Sequence, residues 1–117
     1  MQRPGLDESN VQPEDFLCDY CGNHWAPDRP MVEGHRGSLL CGSCLTLAYT
    51  QVIVQKAGVV TQPAVTCSLC LEHHDTLHWQ GPAAGGPVAC ERCIQNSARM
   101  MEKDRDTTWS RPQAPAK

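Results

Sequence analysis

The sequence predicts a small α+β protein built from two like modules, each a knuckle, a β-hairpin and a helix. Three observations predict it. All eight cysteines fall into four C-x2-C pairs. These pairs form two frames of one pattern, C-x2-C-x19-C-x2-C, at residues 18–44 and 67–93, and each cysteine of the second frame stands 49 positions after its counterpart in the first. The chain has only 117 residues, with one Phe, two Tyr and three Trp. Modules of roughly 40 residues rarely hold together on an apolar core alone.

Thiolates on a metal supply the missing stabilisation. The expected ligands are Cys18, Cys21, Cys41 and Cys44 at a first site and Cys67, Cys70, Cys90 and Cys93 at a second. The expected cofactor is Zn²⁺, two per chain and structural, because four thiolates close a tetrahedral zinc site. Binding of this kind contributes on the order of 10 kcal/mol or more, so that metal binding and folding become one event. Iron fits the same ligand pairs and would colour the protein. Four disulfides are the competing use of eight cysteines, but they need an oxidising compartment. Residues 1–15 carry Asp7, Glu8, Glu14 and Asp15 without an apolar export core, and no apolar run approaches the roughly 18 residues of a membrane span. A cytoplasmic setting with no membrane contact is the expectation.

Taken in order, residues 1–15 read as a disordered tail, polar and without periodicity. The first finger is expected over 16–58. Cys18-Asp-Tyr-Cys21 followed by Gly22 suits a zinc knuckle, since glycine takes the positive φ that such a turn needs. Short apolar pieces at 31–33 and 38–40 flank Gly34-His35-Arg36-Gly37 and read as a hairpin. Cys41-Gly-Ser-Cys44 then opens a helix to Lys56, with Gly58 as its stop. The free N–H groups of that helix start are expected to favour thiolates. This helix is apolar on more than one side: Leu45, Ala48 and Val52 form one stripe, Leu47 and Val54 another.

Residues 59–64 read as a short linker, so the modules are expected to touch. The second finger is expected over 65–104, with a knuckle at Cys67–Cys70, where Leu71 replaces the glycine. A hairpin from 76–80 and 87–89 follows, then a helix opened by Cys90-Glu-Arg-Cys93 with Ile94, Ala98 and Met101 on one face. Residues 105–117 read as a second disordered tail, with Trp109 able to dock back. Knuckle, hairpin and a helix bearing the second cysteine pair make up the treble-clef arrangement, here twice in tandem.

The repeat favours sequential ligation, each half holding its own metal. Cross-bracing, in which the first pair joins the third and the second joins the fourth, is the alternative. His24, His73 and His74 lie near the knuckles, but four cysteines already complete each site, so no open catalytic position and no catalytic residue is expected. No phosphate-binding loop or hydrolase motif occurs. The net charge is −3, and two filled four-thiolate sites bring it to roughly −7, a poor start for binding nucleic-acid backbones.

The two frames resemble the N-terminal four-cysteine zinc-binding domain of the ClpX family of unfoldases. The likeness rests on Cys67-Ser-Leu-Cys70, on Leu40-Cys41-Gly-Ser-Cys44-Leu45, and on Gly81-Pro82 and Val88 ahead of Cys90-Glu-Arg-Cys93-Ile94. It covers about 16–57 and 65–100. The resemblance implies a dimerising finger that captures protein substrates or adaptors. This chain lacks the family's ATPase and doubles its finger. The implied function is a zinc-binding protein-interaction module, an adaptor or regulator, with a protein partner and either a homodimer or an internal pseudo-dimer. A nucleic-acid-binding zinc protein and a zinc-thiolate redox switch are the alternatives.

Overall fold

The computed structural model describes residues 15–26, 28–34, 38–59, 65–73, 76–83, 86–104 and 107–112. The expectations for residues 1–14, the tip His35-Arg36-Gly37, most of the linker (60–64), His74 and residues 113–117 lie outside the described residues.

Each module is built as its sequence dictates. In the first, the Gly22 N–H closes the knuckle on the Cys18 carbonyl at 2.8 Å, and the Leu71 N–H does the same to Cys67 at 2.8 Å. Gly22 (φ 77°) and Leu71 (φ 63°) both occupy the left-handed region. The second knuckle therefore forms without its glycine and carries the steric cost of a Cβ there. Strands β1 (Met31–Glu33) and β2 (Leu39–Cys41) pair antiparallel, as do β3 (His78–Gln80) and β4 (Val88–Cys90). Both second strands run on into the cysteine, so Cys41 and Cys90 end a strand and cap a helix at once.

The single 49-residue offset does not hold throughout. Met31 pairs with Cys41 and His78 with Cys90, so these equivalent positions are 47 apart. The second module reaches its hairpin sooner and spends the difference on a longer hairpin loop. The cysteine frame tolerates this because only its ends are tied to the site.

Helix α1 covers Gly42–Ala48 and widens into a π-helical turn, Tyr49–Val54. The expected end at Lys56 with Gly58 as stop needs correction. The Gln55 N–H bonds the Thr50 carbonyl at 2.9 Å and Ala57 the Gln51 carbonyl at 2.8 Å, while Lys56 itself turns left-handed with φ 52°. Gly58 serves a different purpose: a Cβ there would stand 2.7 Å from the His78 carbonyl, and the next residue, Val59, bridges to His78. Helix α2 covers Glu91–Lys103 and buries Cys93, Ile94, Ser97, Ala98 and Met101, the i, i+4 face its sequence presents.

The two modules share one core. Leu45, Ala48 and Val52 lie with Ile94, Ala98 and Met101 in a single buried cluster, and α1 packs on α2. The second apolar stripe of the first helix divides: Val54 is partly buried against the core, whereas Leu47 stays 59% exposed. Contacts between the modules are reciprocal. A Cβ on Gly81 would stand 2.7 Å from the Tyr20 carbonyl, and one on Gly34 would stand 2.6 Å from the Leu69 carbonyl. Tyr20 and Leu69 hold the same place in the two knuckles; Gly34 and Gly81 each follow the first strand of a hairpin. Likewise α2 packs on β1 of the first module, and the π-helical turn packs on β3 of the second.

Candidate metal centres

The structure brings the eight cysteines together as two groups: Cys18, Cys21, Cys41 and Cys44, and Cys67, Cys70, Cys90 and Cys93, with the sulfurs of each group all within 4.8 Å of one another. The grouping is sequential; the first pair does not meet the third. Individual separations are 3.8 Å for Cys18 and Cys44, 3.7 Å for Cys21 and Cys41, and 3.9 Å for Cys70 and Cys90. A tetrahedron of sulfurs at the Zn–S distance of about 2.3 Å has edges of about 3.8 Å. Disulfide sulfurs lie about 2.0 Å apart. The donor sets fit two structural zinc ions, one per module.

Backbone N–H groups converge on the same sulfurs in both modules. Cys18 Sγ accepts from Tyr20 at 3.4 Å and from Cys41 at 3.4 Å. Cys67 Sγ accepts from Leu69 at 3.3 Å and from Cys90 at 3.3 Å. Such bonds orient the ligand and stabilise its negative charge. Around them the two modules keep matching supports: Cys18 N–H to Asn23 and Cys67 N–H to Glu72, Asp19 N–H to Leu39 and Ser68 N–H to Val88, each at 2.9 Å. Local differences remain. The Asn23 amide donates to Cys21 Sγ at 3.2 Å, whereas Cys70 Sγ lies 3.9 Å from the Glu72 carbonyl.

Crowding four thiols together sets their protonation. Cys18 is held far below the ordinary thiol range by its side-chain hydrogen bonds with Cys41 and Cys44, and Cys67 likewise by those with Cys90 and Cys93. Cys41, Cys44, Cys90 and Cys93 respond in the opposite direction. The side-chain hydrogen bond with Cys18 pushes Cys41 up to about 11, and that with Cys67 pushes Cys90 up to about 12; Cys44 and Cys93 are raised as well. The helix start does favour ionisation of Cys41, through the Cys44 N–H at 3.4 Å. That contribution is smaller than the opposing effect of the Cys41 side chain's hydrogen bond with Cys18. A divalent cation removes the conflict, because it lets all four ionise together.

His24 and His73 belong to neither sulfur group. His73 instead bonds the Val65 carbonyl through Nδ1 at 3.0 Å and stacks with His78, ring centroids 6.4 Å apart. His78 is fully buried, Nδ1 on the Thr76 carbonyl at 2.8 Å. Tyr20 carries a role that spacing alone does not reveal. Its hydroxyl crosses to the second module and donates to the Val88 carbonyl at 2.9 Å, and its ring lies 5.6 Å from that of Trp79. Burial pushes its phenol well above the ordinary range, with the Cys67 thiolate acting in the same direction. An apolar residue before the second cysteine of both knuckles, Tyr20 and Leu69, is the signal in the sequence that marks this contact.

No protein-family model matches the chain, and neither a curated protein nor a solved structure matches it. Among the described residues no helix is long and apolar enough to cross a membrane.

Proposed function

We propose that this chain is a non-enzymatic, zinc-stabilised protein-interaction module of the cytoplasm, whose two fingers pair with each other as ClpX-type fingers pair between chains. The reciprocal seating of Tyr20 on Gly81 and of Leu69 on Gly34 carries the proposal. An isologous contact between two copies has this form, with each partner giving and receiving the same surface. Within one chain it occupies the pairing face of both fingers, and the zinc ions hold that surface in shape without an open coordination position. The acidic balance, −3 before metal binding, favours a protein over a nucleic-acid partner.

Sedimentation equilibrium of the zinc-loaded chain tests the pairing: a monomer is expected, and a tight dimer of chains would overturn it. The interaction role is tested by crosslinking the zinc-loaded chain in a native extract. Partners captured by the loaded chain and lost after chelation support it, and an extract that yields none in either state speaks against it.

A further inference from the structure

Neither metal cluster nor the pairing of modules uses Trp109. Beyond α2 the chain returns to the first module, and residues 107–112, read from the sequence as part of a tail, lie against α1. The Trp109 indole N–H donates to the Thr46 hydroxyl at 2.9 Å and to the Gly42 carbonyl at 3.2 Å. Its ring atom Cδ1 stands 3.3 Å from where a Cβ on residue 42 would be. The seat thus depends on glycine between the two cysteines of the second pair. Asp28, Pro30 and Ser43 help to line this cleft of about 210 Å³. Two residues on, the Arg111 guanidinium pairs with Glu102 and lies over the Tyr49 ring, 5.7 Å from its centroid. It also reaches the Tyr49 hydroxyl at 3.4 Å.

These contacts read a two-point chemistry. Two oxygen acceptors take an indole N–H, and a carboxylate beside an aromatic face takes a guanidinium two positions later. The second module has no such seat, since Glu91 and Gln95 stand where the first has Gly42 and Thr46. The strap is held loosely. Trp109 is partly buried, and the Arg111 and Glu102 side chains keep 38% and 30% of their surface. Ion pairs this exposed contribute little each. What keeps the segment in place is its covalent tether, which gives it an effective concentration on the order of millimolar.

We infer that the cleft at Gly42, Thr46, Tyr49 and Glu102 is a docking site for an extended peptide segment bearing tryptophan with arginine two residues on. The chain's own residues 107–112 are its resident occupant, and a partner segment of the same chemistry displaces them. The inference deepens the interaction-module reading by naming the chemistry of a partner.

The test uses the full-length zinc-loaded chain and a labelled peptide with the sequence of residues 107–112, Thr-Thr-Trp-Ser-Arg-Pro. In the wild-type chain the tether competes, so binding is weak. Trp109→Ala vacates the seat, and the peptide then binds at least tenfold more tightly; replacing the peptide's own tryptophan or arginine by alanine abolishes that gain. Thr46→Val added to Trp109→Ala reduces it. Equal affinity for the wild-type and Trp109→Ala chains, or no binding to either, overturns the inference. If Trp109→Ala loses zinc, Arg111→Ala serves instead: it loosens the strap at an exposed ion pair, and at least threefold tighter peptide binding is expected, with no change counting against the site. A negative result here leaves partners captured from an extract untouched, so this seat and the broader interaction role fail separately.

Discussion

Single residues decide how each knuckle closes. Gly22 has a φ of 77° and open space where a Cβ would stand, so Gly22→Ala should cost about 1–2 kcal/mol through backbone strain alone. Leu71 already carries that strain at φ 63° and is 42% exposed. Leu71→Gly should therefore be neutral or stabilise by up to about 1 kcal/mol, because relief of strain opposes the added freedom of the unfolded chain. Denaturant unfolding of the zinc-loaded variants measures both; a large loss for Leu71→Gly would mean that its side chain packs more than its exposure implies. The thiols make a second prediction. With Cys41 raised to about 11 and Cys90 to about 12, and Cys44 and Cys93 raised too, each metal-free cluster holds at least two protons at neutral pH. Zinc must displace them, so its affinity rises with pH, by about 100-fold per unit if two protons leave per site. Competition with a chelator between pH 6 and 8 reads the slope, and a flat profile would contradict the protonation pattern.

At the scale of elements, the sequence shows most of what the structure contains. Knuckle, hairpin and helix stand in the expected order twice, because the cysteines, the short apolar pieces and the face of Ile94, Ala98 and Met101 are local signals. What it hides is set by contacts between distant residues. The hairpin register shifts to an offset of 47 because only the cysteine ends of the frame are constrained, so loop residues can move between the two sides of the first strand. The first helix ends at Val54, short of the expected Lys56, because the π-helical turn shifts its last bonds, while Gly58 is claimed by close approach to His78. Gly34 and Gly81 look like ordinary hairpin glycines, yet each faces the backbone of the other module's knuckle. Gly81→Ala would place a methyl 2.7 Å from the Tyr20 carbonyl, and overpacking of this kind costs about 1–3 kcal/mol. At Gly86, in the same loop, an added Cβ would instead meet the Gln80 side-chain amide. Thermal unfolding should show a clear loss for Gly81→Ala; an unchanged midpoint would mean that the two modules are less tightly apposed.

For the whole molecule, two small metal sites flank a core that belongs to both modules. Tyr20 joins them, fully buried, with its hydroxyl on Val88 and its ring by Trp79. Tyr20→Ala should cost about 3–5 kcal/mol, in line with deletion of a buried aromatic ring, and should lower the unfolding midpoint of both modules together. Separate transitions with only the first shifted would show that the shared core does not couple them. The central claim is that each module completes its own four-thiolate site. Replacing Cys18, Cys21, Cys41 and Cys44 by serine in the full chain, then weighing the zinc-loaded protein by native mass spectrometry, tests it most directly. Sequential ligation predicts one zinc per chain, held by Cys67, Cys70, Cys90 and Cys93. A chain that retains none would contradict it, since the second site would then need ligands from the first.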